Sequence, residues 1–190
     1  LLALRVFMLV NKSMKVTHLH IDASSFCNAR CPGCPRNAYG YPLEGFYKQA
    51  HLKPEKLAEI LDKFPQVQSI LYCGNHGDPM MNPDIVELCD VGKSISVATN
   101  GGIGQLEDYE LLAKNGAHIT FGIDGLENTN HLYRQGVKWD NLMKRVKAFI
   151  TAGGQATWQF IKFQHNMDQV DQAKSLSEEM GFVDFFAIDV

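Results

Sequence analysis

Phe26-Cys27-Asn28-Ala29-Arg30-Cys31-Pro32-Gly33-Cys34-Pro35-Arg36 carries three of the chain's five cysteines, spaced C-x3-C-x2-C. Soft sulfur donors at this density select an iron–sulfur cluster, zinc or copper. Iron–sulfur clusters commonly take four cysteine thiolates. This loop offers three, which would leave one iron open to bind and activate a ligand. Pro32 and Gly33 fit a sharp bend, and Gly33 lets a ligand approach the backbone closely.

Immediately upstream, residues 15–22 alternate, with Val16, Thr17, Leu19 and Ile21 apolar or β-branched, and read as a first strand. The cysteine loop therefore sits at a strand's C-terminal end. Downstream, a polar stretch over residues 37–51 leads to a helix opened by Pro54. Strands then read over 68–74, 94–99, 118–123 and 157–163, with a sixth from residue 183. Helices read over 83–91, 106–114, 139–152 and 168–180. The helix from Trp139 is the strongest, with Leu142, Met143, Val146, Phe149 and Ile150 on one stripe. Strands alternating with helices imply βαβ units, a parallel sheet and right-handed crossovers. Spacing alone leaves two architectures open, a doubly wound sheet and a partial barrel.

A chain of 190 residues that is 45% hydrophobic can bury one sizeable core. The net charge of -3 and the scattered basic residues give no nucleic-acid footprint. The apolar run Leu1–Val10 is shorter than the roughly 20 residues a membrane span needs. No small-residue cleavage site follows it. Residues 1–13 are expected to be an N-terminal extension, with Met14 as native start and the domain over 14–190. The final strand-like run, Val183–Val190, suggests truncation after strand six. Clustered thiols in a metal-type spacing argue for a reducing, cytoplasmic location.

The triplet after a strand resembles the cluster-binding loop of the radical S-adenosylmethionine (SAM) superfamily. That resemblance implies that Cys27, Cys31 and Cys34 hold a 4Fe–4S cluster whose fourth iron is chelated by SAM. It implies a partial (β/α)6 TIM-like barrel of parallel strands. Other strand ends are similar to the family's motifs, in family order. His76-Gly77-Asp78-Pro79 resembles a Gly-Gly-Glu-Pro segment that binds the SAM amine, with His76 for a glycine and Asp78 one methylene short. Thr99-Asn100-Gly101 resembles a segment whose polar side chains face the ribose. Gly122-Ile123-Asp124-Gly125 is similar to a Ser-Ile-Asp-Gly segment, with Gly122 lacking the hydroxyl. His131-Leu132-Tyr133-Arg134 resembles a His-x-x-Arg stretch of peptide-modifying members, in which the arginine holds the SAM carboxylate. A guanidinium suits that task because its donors form a planar fork. Asn166 resembles a polar residue after strand five of the same relatives.

The implied SAM contacts are thus Gly33 (through its backbone, to the adenine), His76, Gly77, Asp78, Asn100, Asp124 and Arg134; no general acid or base is assigned. The implied activity is reductive cleavage of SAM to a 5′-deoxyadenosyl radical that abstracts a substrate hydrogen. The implied partners are an external one-electron donor of flavodoxin or ferredoxin type and a peptide or protein substrate. An auxiliary-cluster domain of SPASM or twitch type is implied beyond Val190. Bland alternatives stand beside these. Asp78 serves equally as a turn or cap residue. His18 or His20 could complete a Cys3His zinc site. Cys73 and Cys89 read as small buried hydrophobes. A non-catalytic iron–sulfur or zinc module and a small-molecule radical SAM enzyme are the rival functions.

Overall fold

The computed structural model describes residues 15–38, 41–42 and 49–189. The expected extension over 1–13 lies outside the described residues, as do 39–40 and 43–48 of the polar stretch over 37–51. Six strands form one sheet: β1 (His18–Ile21), β2 (Ser69–Tyr72), β3 (Ser94–Thr99), β4 (His118–Gly122), β5 (Gln155–Ile161) and β6 (Asp184–Ile188). Every neighbouring pair is parallel. The helices are α1 (Pro54–Lys63), α2 (Ile85–Cys89), α3 (Leu106–Lys114), α4 (Asn130–Tyr133), α5 (Trp139–Thr151) and α6 (Val170–Met180).

Strand order decides what spacing could not. The strands lie in the sheet in the order in which the chain makes them. A doubly wound sheet reverses direction partway, which puts helices on both faces. Here each right-handed crossover steps the same way, so all the helices fall on one face and the sheet curls around the other. The result is a six-stranded partial barrel of α/β class. Among the described residues β1 and β6 are its two unpaired edges.

Alternation along the strands separates two faces. Ile70, Tyr72, Ile95, Val97, Ile119, Phe121, Ala156, Trp158 and Phe160 point to the helices and are buried. They pack with Leu57, Leu88, Tyr109, Leu112, Leu142, Val146 and Phe149 into one core. The intervening residues face the barrel interior, and apart from Leu71 those that border its cavity are small or polar. His20, Leu71, Ala98, Thr120, Gly122 and Gln159 line a cavity of about 450 Å³. Closed barrels fill this space with layers of branched side chains. This chain leaves it open.

Several boundaries differ from the sequence reading. The second helix is shorter than expected, Ile85–Cys89 against 83–91, and a separate 3-10 turn, Pro79–Met81, precedes it. The Asp78 carboxylate accepts the Met80 N–H at 3.0 Å and caps that turn. The fifth strand runs two residues earlier than expected, and the Asn166 amide oxygen takes the Phe163 N–H at 2.6 Å just past its end. The single-turn helix α4 was not foreseen. No helix among the described residues is long and apolar enough to cross a membrane.

Candidate functional site

The cavity opens at the C-terminal ends of the strands, where parallel α/β folds gather their chemistry. Cys27, Cys31, Gly33 and Cys34 line it, together with Cys73, Gly74, Asn75, Gly77, Asp78, Thr99, Asn100, Tyr133 and Arg134. Loops from β1, β2, β3 and the α4 turn thus converge on one space. All five cysteines are free thiols.

Each cysteine has a different electrostatic setting. Cys27 receives the Ala29 N–H at 3.4 Å and the Asn100 amide Nδ2 at 3.5 Å. As a free thiol its pKa is pushed up to about 11, by burial first and then by the charge of nearby Asp78. Burial also raises the Cys31 thiol, and the adjacent Arg134 guanidinium, hydrogen-bonded to it, pulls the other way. The Cys34 N–H bonds to the Cys31 carbonyl at 3.1 Å and closes the Pro32–Gly33 turn. A β-carbon on Gly33 would lie 3.2 Å from the Tyr133 hydroxyl, so the turn passes close beneath that ring. Among the described residues no three His, Cys, Asp or Glu side chains form a group ready for a single metal ion.

These surroundings fit a thiolate-held cluster. Amide donors and a guanidinium aimed at sulfur favour its charged form, which a neutral buried thiol does not need. The three cysteines border one cavity large enough to hold further ligand beside them.

The residues after β2 are fixed by close backbone contact. The Asp78 N–H bonds to the Phe26 carbonyl at 2.7 Å, which ties this segment to the cysteine loop. A β-carbon on Gly77 would lie 2.0 Å from the Ser24 carbonyl oxygen and 2.7 Å from that of Phe26. Backbone atoms cannot give way cheaply. Gly77→Ala is therefore expected to destabilise the fold by about 1–3 kcal/mol, as overpacking does. Urea unfolding checks it, and an unchanged midpoint would mean that the loops stand further apart. His76 turns its ring to Asp22, with Nδ1 to Oδ2 at 2.9 Å and its backbone N–H to Oδ1 at 3.0 Å.

Asp78 lines the cavity and also holds the fold together there. Its carboxylate is buried and its acceptors are engaged: Met80 N–H, Thr99 Oγ1 at 2.8 Å and Asn100 N–H at 2.8 Å. It clamps the end of β2 to the end of β3. Burial raises its pKa against those hydrogen bonds.

Asp124 lies deeper. It is fully buried behind Arg134, accepting Arg134 Nε at 2.6 Å on one oxygen and the Ile161 N–H at 2.7 Å on the other. It positions the arginine and does not reach the cavity. Asn130 accepts the Asp124 N–H at 2.9 Å, and Asn166 donates to the Asp124 carbonyl at 3.0 Å. Asn166, also fully buried, is part of this scaffold.

Gly122 acquires a reason. A β-carbon there would fall 2.5 Å from Arg134 Nη2. The missing side chain makes room for the guanidinium to cross β4 toward Cys31. Asn100 is nearly buried and links the β3 end to the cysteine loop, through Cys27 and through Asn28 Oδ1 at 3.1 Å.

Sequence reasoning passed over three residues. Tyr133 lines the cavity and stacks on Phe163 at 4.3 Å between centroids. Its signal lay within the His131–Arg134 segment. Cys73, read as inert, borders the same cavity, with Sγ donating to Asp22 at 3.6 Å and accepting from Asn75 at 3.7 Å. Asp22 gave no local signal, because its partners lie some fifty residues downstream.

Comparison with known proteins agrees with this geometry. The family described as the Radical SAM superfamily matches residues 21–173. The AdoMet-dependent heme synthase of Nitratidesulfovibrio vulgaris is 26% identical over 121 residues, 61% of this chain and 32% of that protein. Among solved structures, anSMEcpe with bound AdoMet superposes with a TM-score of 0.73 at 17% identity, covering 93% of this chain and 50% of that one. Streptococcus suis SuiB bound to precursor peptide SuiA gives a TM-score of 0.73 at 20% identity, covering 92% and 39%. The chain spans about a third of the length of the curated relatives it matches.

Proposed function

The chain belongs to the radical SAM superfamily, and from that premise we propose that Cys27, Cys31 and Cys34 hold a 4Fe–4S cluster and that SAM binds beside it. When bound, the pair supplies one-electron cleavage of the sulfonium and a 5′-deoxyadenosyl radical that abstracts a substrate hydrogen. The observation that carries this reading is the meeting of all three cysteines and Arg134 around one cavity at the strand ends.

The chain's own residues supply positioning and exclusion. Arg134, locked by Asp124, presents a fixed donor fork suited to the SAM carboxylate. Gly33 and Gly77 offer bare backbone to the nucleotide and the amine. Asp78 and Asp124 hold the loops that carry these groups. Electrons come from an external one-electron donor of flavodoxin or ferredoxin type, in keeping with a cytoplasmic protein whose thiols stay free.

We propose a peptide as the substrate class. The His131–Arg134 segment resembles that of peptide-modifying members, and SuiB is a structural neighbour with a precursor peptide bound. The test is anaerobic reconstitution followed by SAM and dithionite. 5′-Deoxyadenosine should form, and its yield should rise with added peptide. A rise with tetrapyrrole alone would favour a small-molecule substrate. Tetrahedral zinc and no SAM cleavage would leave only a binding module.

A further inference from the structure

Asn100 sits on the cavity wall beside the cysteine loop. Its side-chain amide is held at both ends. The Gly102 N–H donates to Oδ1 at 2.7 Å, which fixes the oxygen end of the amide. Nδ2 therefore faces the other way, where it meets Cys27 Sγ at 3.5 Å and Asn28 Oδ1 at 3.1 Å. An amide nitrogen has two protons, and both have acceptors here. The backbone is held as well, with the Asn100 N–H on the Asp78 carboxylate at 2.8 Å. A β-carbon on Gly102 would come within 2.7 Å of Asn100 Oδ1, so the glycine keeps the amide in place. With only 5% of its surface exposed, Asn100 has little left to offer a ribose.

We propose that Asn100 is a positioning residue for the cluster's electronics: a hydrogen-bond donor to the Cys27 sulfur that raises the cluster's reduction potential. The proposal rests on the cluster reading above and deepens it. Reduction adds negative charge that is shared with the thiolate sulfurs, and a donor on a sulfur stabilises the more negative state. Cys27 sits between opposed influences. The Ala29 N–H and the Asn100 amide stabilise charge on its sulfur, whereas the nearby Asp78 carboxylate disfavours it. The same Asp78 carboxylate that repels charge on Cys27 accepts the Asn100 N–H. The group that lowers the potential thus orients the group that raises it.

The test is a redox titration of the reconstituted, SAM-free protein, followed by electron paramagnetic resonance. Asn100→Ala should shift the reduction equilibrium about tenfold toward the oxidised cluster, about 59 mV for a one-electron couple. Asn100→Asp keeps the acceptor for the Gly102 N–H and sets an anionic oxygen against sulfur, so its potential should fall further. Both variants titrating with wild type, while binding SAM more weakly, would overturn the proposal and make Asn100 a nucleotide contact. Loss of the cluster from both variants would also overturn it, since tuning is not assembly. A wild-type protein that takes up no iron–sulfur cluster would instead overturn the parent reading.

Discussion

Cys31→Ala is expected to remove the cluster's visible absorbance from anaerobically reconstituted protein and to reduce 5′-deoxyadenosine formation to background. Three thiolates hold three of the four irons and leave one open, and the loop has no spare. Cys73 borders the cavity, yet its sulfur is tied to Asp22 and Asn75 on the β2 side. Cys31 is also the cysteine beside Arg134, so the substitution removes a ligand and the arginine's anionic neighbour together. Ultraviolet–visible spectra, iron analysis and product chromatography check it. SAM cleavage surviving in the variant would show that this loop is not the cluster site.

Asp124→Ala is expected to be the most destabilising single change among the site residues. It leaves a guanidinium whose side chain is only 17% exposed without its counter-ion, and it strips the Ile161 N–H of its acceptor. Breaking one side of a buried pair typically destabilises by about 3–5 kcal/mol. For a domain of this size that lowers the melting temperature by on the order of 10 °C. Asp124→Asn keeps an oxygen for Ile161 and should lose less. Calorimetry on both variants decides, and equal melting temperatures for wild type and Asp124→Ala would mean that the pair contributes nothing to the fold.

The barrel's parts were legible where local chemistry dictates structure. β-Branched runs such as Ser94–Thr99 marked strands, and the Trp139 stripe marked α5. The cysteine triplet and the order of the strand-end motifs pointed to the family. Strand order was not legible, because it is fixed by which strands pair and not by how far apart they lie. The acidic residues were legible only in part. Capping by Asp78 was one of the readings its turn allowed. Its bond to Asn100 across 22 positions, and that of Asp124 to Ile161 across 37, leave no local signal. Gly122 read as a lost hydroxyl until Arg134 was seen to occupy its space.

Among the described residues the first and last strands of the sheet have a neighbouring strand on one side only. A strand edge of that kind is a template: its free main-chain N–H and C=O groups can take up one more extended segment. Such pairing runs through the backbone, so it asks little of the segment's side chains.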